Sequence, residues 1–317
     1  MSEEPIPPQP PPAPEPILDP TRPATPAPEP PRHSFFTVLL QFFLIPVGIV
    51  GACAAVFLGL RAIVGDAKSP DELLDEVGSG AVNRRWQAAF ELSQVLSQEN
   101  PPEIGPKFVD GAVAAFLAAE GDDKRIREYL ALILGRTRDR RATKPLLEAL
   151  PGADAQLRVN ILLALGEISD PLAKDEFLRA LDDAGDAGVR KAALVGLSRL
   201  PKEDAILARV RTHLTDPVAD VKWNAALVLA ALDDPAGADV LFEMLDRALI
   251  QKQVMSAEEG GAEKDPAAAI LRNAVSASAR LYQERFRKPY ETLSANDPDP
   301  DVRRFAAEAL QWLDSRK

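Results

Sequence analysis

Hydrophobic and polar positions sort this chain into three regimes. From residue 70 to the end, apolar residues recur three and four apart in short runs, and Gly and Pro fall between the runs. That spacing predicts amphipathic helices, and no stretch alternates with the period of two that a half-buried strand needs. Residues 35–60, FFTVLLQFFLIPVGIVGACAAVFLGL, carry no charge at all. A helix of that length reaches roughly 39 Å, beyond the ~30 Å of a bilayer's hydrocarbon core, so the pattern predicts a transmembrane helix kinked at Pro46. Residues 1–34 show neither pattern and hold 14 of the 29 prolines. Such a tail is expected to be extended polyproline II or disordered.

The helical region repeats itself. A basic residue opens each of seven similar segments: Arg85 (RWQAAFEL), Arg127 (REYLALILG), Arg158 (RVNILLALG), Arg190 (RKAALVGL), Lys222 (KWNAALVLAAL), Arg272 (RNAVSASARL) and Arg303 (RRFAAEALQWL). The intervals are 42, 31, 32, 32, 50 and 31 residues, so a unit of 31–32 recurs and two copies carry insertions. Positions +3, +4 and +7 from the basic residue are small or apolar, as in Ala193, Leu194 and Leu197, and share one helical face. Asp123, Asp154, Asp186 and Asp299 stand four residues before the basic residue, where a carboxylate caps a helix N-terminus. A shorter apolar segment precedes each copy, often opened by proline (Pro145, Pro171, Pro201, Pro235). Each unit therefore reads as a pair of helices.

Asp-x-x-Val/Leu-Arg followed by Ala and Leu at helical spacing resembles HEAT repeats, in particular the short bacterial HEAT-like type named for phycobilisome lyases. The resemblance implies an all-α solenoid of about seven helix pairs over residues 70–317. It also implies an Asp/Arg ladder tying neighbouring repeats (Asp123, Arg127, Asp154, Arg158, Asp186, Arg190, Arg303), with the second helices lining the concave face. Two copies depart from the pattern: Lys222 replaces Arg with Asp220 close by, and the Arg272 copy lacks the Asp.

The domain order expected is a proline-rich tail (1–34), a membrane helix (35–60), a linker (61–69) and the solenoid (70–317), with a flexible insertion at 251–266. Lys and Arg flank the span evenly, so the side of the membrane is undetermined. Val50-Gly51-Ala52-Cys53 resembles a lipoprotein cleavage box, but the apolar run continues past Cys53, which favours an uncleaved span.

Composition narrows the function. The net charge is −11, and residues 66–317 hold 34 basic against 43 acidic residues. An acidic domain disfavours nucleic acid as a partner. One cysteine and two histidines, His33 and His213, cannot assemble a Cys/His zinc site, and no Gly-rich phosphate loop or Ser/His/Asp set occurs. No cofactor, metal or catalytic residue is expected.

Candidate sites are therefore surfaces. Trp86 and Trp223 each follow a ladder basic and, with Tyr129, are candidate protein anchors; inter-repeat packing is the alternative. Arg136, Arg138, Arg140, Arg141 and Lys144 form a basic loop suited to anionic lipid or an acidic partner, or a merely solvated loop. Gly51, Ala55 and Gly59 make a small-residue stripe suited to pairing of membrane helices. The tail's PxxP spacings, such as Pro20-Thr21-Arg22-Pro23, suit either a docking peptide or a spacer. The function expected is a membrane-tethered, non-catalytic scaffold that binds proteins. The alternatives are a self-associating, homodimeric membrane protein and a lyase-type enzyme or enzyme chaperone.

Overall fold

The computed structural model describes residues 44–64, 68–255 and 265–315. The chain divides into two units, 1–67 and 68–317. In the first unit one helix is described, α1 (Ile45–Val64). The proline-rich tail lies outside the described residues.

The single-pass membrane assignment is corrected here. Among the described residues no helix is long and apolar enough to cross a membrane. From Ile45 onward the expected 35–60 stretch lies in α1, which runs on through Arg61 to Val64. Residues 35–43 lie outside the described residues.

The second unit is helical at every regular element, with no strand among the described residues. Its first helices are α2 (Pro70–Ser79), α3 (Val82–Leu96), α4 (Pro106–Ala118), α5 (Lys124–Thr137), α6 (Thr143–Ala149), α7 (Ala155–Ile168), α8 (Lys174–Ala180) and α9 (Ala187–Leu197). They continue as α10 (Asp204–Thr212), α11 (Ala219–Ala231), α12 (Ala238–Met244), α13 (Arg247–Met255), α14 (Pro266–Arg280), α15 (Arg287–Asn296) and α16 (Pro300–Asp314). They make seven pairs whose second members are α3, α5, α7, α9, α11, α14 and α16, with α13 an extra helix in the sixth pair.

The caps follow from local chemistry. Asp123, Asp154, Asp186 and Asp299 are N-caps whose carboxylates accept backbone N–H bonds from Arg125, Leu157, Val189 and Val302. The Arg272 copy is capped after all, by Asp265, which accepts from Ala268 N. Its acid stands seven residues before the basic instead of four. Pro171 and Pro235 open single 3-10 turns that lead into α8 and α12, each capped by the preceding Asp170 or Asp234. A missing N–H costs nothing in a first turn. Part of the insertion at 251–266 is ordered helix rather than loop. Asp246 caps α13 by accepting from Ala248 N and Leu249 N, Ile250 is fully buried, and Arg247 is held by Asp265 and Asp297. Residues 256–264 lie outside the described residues.

The core is a continuous strip from Leu73 to Leu313, with none of its residues drawn from the first unit among those described. It comprises two clusters that meet at α11. Val221, Ala225 and Leu229 face one cluster, and Trp223, Ala226 and Ala230 face the other. A helix apolar on both faces is what a position between two layers requires. Close approach sets the spacing of the layers. A Cβ on Gly135 would lie 2.6 Å from the Cα of Ala164, and one on Gly166 would lie 3.0 Å from the Cα of Gly196. Only glycine fits at such contacts.

Charged rungs cross the same joints. Arg85 pairs with Asp122 at 2.5 Å, Arg158 with Asp183 at 2.8 Å, Arg190 with Asp216 at 3.0 Å and Arg272 with Asp299 at 3.7 Å. Each basic residue reaches an acid just before the second helix of the next pair. The expected ladder is therefore real, but its acids differ: Asp154 and Asp186 cap their helices while Asp183 and Asp216 take the arginines. Arg127 stacks 5.1 Å from the Phe116 ring, and its Nε is buried without a hydrogen-bond partner. Lys222 pairs with Glu243 instead. The Arg190–Asp216 rung is the most buried, with side chains 9% and 6% exposed. Burial of Asp216 works to raise its pKa, but hydrogen bonds from Arg190, Val218 N and His213 outweigh it and hold the carboxyl below the usual range. Asp183 is lowered in the same way by Arg158 and by the N–H groups of Gly185 and Asp186, against its own desolvation.

Gly135→Val should wedge α5 from α7 and cost about 1–3 kcal/mol, read as a lower urea midpoint, whereas Gly152→Ala, with nothing within 4 Å of its added Cβ, should be near neutral. Carboxylates with depressed native pKa values contribute stability that is full above their unfolded value near 3.8 and is lost as pH falls through the native value. Urea midpoints should therefore fall below about pH 4. Arg190→Gln should cost roughly 3 kcal/mol at pH 7, by stranding a buried carboxylate, and should flatten the acid decline.

Candidate partner-binding face

The second helices of successive pairs lie side by side, so their outward residues form one row. At its start, α3 and α5 present two matched couples. The guanidinium of Arg125 lies 4.3 Å from the Trp86 ring centre, and Phe90 meets Tyr129 edge-on at 5.4 Å. Trp86 and Phe90 are four apart on one helix, as are Arg125 and Tyr129 on the next, so the couples stack along the joint. Trp86 and Tyr129 are half-buried against the core, while Phe90 is 41% exposed. Arg125 also binds Asp123, and that hydrogen bond, opposed by desolvation, pushes the Asp123 carboxyl down to about 2.

Further along, Val159 and Leu163 of α7, Val195 of α9 and Asn224 of α11 line an open cleft of about 540 Å³. Leu227 and Ala231 of α11 border the next depression with Ser276 and Arg280 of α14. Ser276 and Arg280 then help to line the last, with Phe305 and Trp312 of α16. These depressions follow one another between the second helices, from α7 to α16.

The structure separates the candidate residues. Trp223 is 4% exposed and packs inside the core, its indole N–H buried without a hydrogen-bond partner. It presents no surface to a partner. Trp86 and Tyr129 are partly exposed at the joint of α3 and α5. Phe90, Arg125 and Trp312 were missed by the repeat pattern, although the i, i+4 spacing of Phe90 from Trp86 was a readable signal. In the basic loop, Arg136 pairs with Glu167 at 2.9 Å, Arg141 with Asp110 and with Asp139 at 2.8 Å, and Lys144 with Glu148 at 3.8 Å. Arg138 and Arg140 are exposed, Arg138 ending α5 in the left-handed conformation at φ 53°. Most of the loop's charge is therefore used inside the fold. Gly51 and Ala55 are exposed on α1, and Gly59 lies on the same helix. Cys53 is an exposed free thiol within α1. His213 places Nδ1 3.4 Å from Asp216, beside a rung. Among the described residues no group of three or more His, Cys, Asp or Glu is placed to hold a metal ion.

Comparison with known proteins agrees on the repeat. Residues 113–198, from α4 through α9, match the family model for HEAT repeats. No curated protein matches the chain. Among solved structures, the complex of CpcE and CpcF of phycocyanin lyase from Nostoc sp. PCC7120 is 20% identical. It covers 79% of this chain and 96% of its own, at a TM-score of 0.49. Human deoxyhypusine hydroxylase in complex with glycerol is 18% identical, with 78% and 96% covered and a TM-score of 0.35. A designed armadillo repeat protein is 16% identical, with 78% and 100% covered and a TM-score of 0.32. The fold is a HEAT-like helical repeat.

The contrast between the two tryptophan neighbourhoods is measurable. Trp223→Ala should cost about 3–5 kcal/mol in urea unfolding because it empties a core site. Arg125→Ala removes an exposed cation–π contact and should change the same midpoint by under about 1 kcal/mol.

Proposed function

We propose that this protein is a non-catalytic adaptor that holds an extended segment of a partner protein along the groove between its second helices. The observation that carries this reading is the pair of stacked couples, Trp86 with Arg125 and Phe90 with Tyr129, at the start of that groove. Aromatic residues and arginine are the side chains that dominate binding energy at interfaces, and these four are partly desolvated and held in place by one another. A helical-repeat stack buries its core between neighbours and leaves a long face free, which suits binding better than an enclosed reaction. Self-association through the Gly51/Ala55/Gly59 stripe has no second observation behind it. A lyase-type or enzyme-chaperone role gains no residue set from the described part of the chain.

Crosslinking of the full tagged chain in its own cells, followed by mass spectrometry, tests the reading. Crosslinks from α3 and α5 to one other protein are expected. Arg125→Glu with Tyr129→Ala should weaken that partner's affinity by about 30-fold, the ~2 kcal/mol of a hot spot, with a thermal melt showing the variant still folded. Crosslinks confined to copies of this chain, or an affinity unchanged by the double variant, would overturn it.

A further inference from the structure

Away from the second-helix row, α12, the start of α13 and α15 line an open cleft of about 640 Å³. That is within the roughly 300–1,000 Å³ of small-molecule sites. The extra helix makes this cleft. Arg247, the first residue of α13, is held by Asp297 just past the end of α15, which fixes α13 against that helix and forms one end of the trough. The floor is apolar: Leu245 and Leu293 are buried, and Phe242 is 41% exposed. We infer that this cleft binds an amphipathic monocarboxylate of the fatty-acid class, with its chain on the apolar floor and its carboxylate on Lys288. The inference goes beyond the adaptor reading and shares no residue with α3 and α5.

The charges around the cleft decide the class of ligand. Arg285, Arg287 and Lys288 stand together at the start of α15. Arg285 is taken by Asp239, and Arg287 by Glu284 and Asp314. Lys288 is exposed and makes no ion pair among the described residues. In the same acidic unit Lys144, Lys174, Lys191 and Lys222 each hold a carboxylate. A cation is unfavourable in the first turn of a helix, where the dipole is positive, and a like charge three residues away adds to the cost. A ligand carboxylate removes both penalties and gains a charge-assisted hydrogen bond.

The acids of the lining set the ligand's direction. Asp297 is buried and holds Arg247, while Asp246 accepts the first N–H groups of α13. Both stand at the α13 end, so the anionic head is favoured at the Lys288 end and the chain points toward Ala248 and Pro298. Between Lys288 and Asn296, also in the lining, α15 rises roughly 12 Å and places Pro289 and Leu293 along the floor. An alkyl chain laid there loses water along its length, each buried methylene strengthening binding about fourfold at most.

The full chain is titrated with decanoate by isothermal titration calorimetry, below the concentration at which decanoate forms micelles. Saturable binding is expected, several-fold tighter than that of octanoate. Lys288→Gln should weaken it about tenfold, and Lys288→Arg should keep it within about threefold. Ala248→Phe fills the cleft from an exposed position outside the core and should abolish binding. Decyltrimethylammonium, with the same chain and the opposite charge, should bind at least about tenfold more weakly than decanoate. Thermal melts check that each variant is folded. Absence of saturable binding, binding that survives Lys288→Gln or Ala248→Phe unchanged, or equal affinity for the cationic amphiphile overturns the inference. Ala248→Phe should leave the crosslinks from α3 and α5 as they are, so failure here and failure of the adaptor reading are distinguishable.

Discussion

Every feature of the repeat unit depends on how closely its second helices approach one another. At the joint between α5 and α7 the backbone of Ala164 comes within 2.6 Å of where a Gly135 side chain would begin, and Gly166 meets Gly196 in the same way one joint later. Approach at this distance excludes water from the whole joint, so Ile133, Leu134, Ile161 and Leu165 around it are completely buried. Each such side chain is worth roughly 1.5–3 kcal/mol relative to exposure. The same closeness brings arginine at the start of one second helix within reach of the acid before the next. Packing therefore comes first, and the charged rungs are built on the spacing that packing sets.

The rungs have a different role. A buried ion pair is expensive to desolvate and adds little net stability over an apolar replacement, but breaking one side of it leaves a stranded charge. Arg190 with Asp216, nearly closed off from water, therefore penalises any slip of one pair against the next. The division of labour between acids serves this end. Asp186 accepts Val189 N in the first turn of its own helix, while Asp183 and Asp216, placed in the preceding turns, accept the arginines. Where the turn supplies no second acid, as after Arg127, the arginine turns to an aromatic ring instead.

Function follows from what this arrangement leaves uncovered. The first helices and the core bury most large apolar side chains, but the second-helix row keeps aromatic residues at both ends: Phe90 with Trp86 and Tyr129 at one, Tyr282 with Trp312 at the other. Between them lie shallow depressions lined by both apolar and polar side chains. The basic loop that looks conspicuous in an acidic sequence is largely spent on Glu167, Asp110, Asp139 and Glu148. It is part of how the pairs are tied together.

The sequence by itself determined the helix pairs, the seven-fold repetition and the capping aspartates. These depend on neighbours three to four residues away, and a repeat prints the same local solution again and again. It also put Trp86 and Tyr129 on second helices, α3 and α5. What it left undecided depended on distances between residues far apart in the chain. Trp86 and Trp223 occupy equivalent positions in the pattern, yet among the described residues α3 meets a neighbouring pair on the α5 side, while α11 is packed on both faces, so one indole is partly exposed and the other is sealed in. The partners of the ladder arginines, the helical start of the insertion and the pairing of Tyr282 with Trp312 were decided in the same way. The apolar stretch at 35–60 shows the limit from the other side. Hydropathy measures how a segment partitions, but among the described residues no helix is long and apolar enough to cross a membrane.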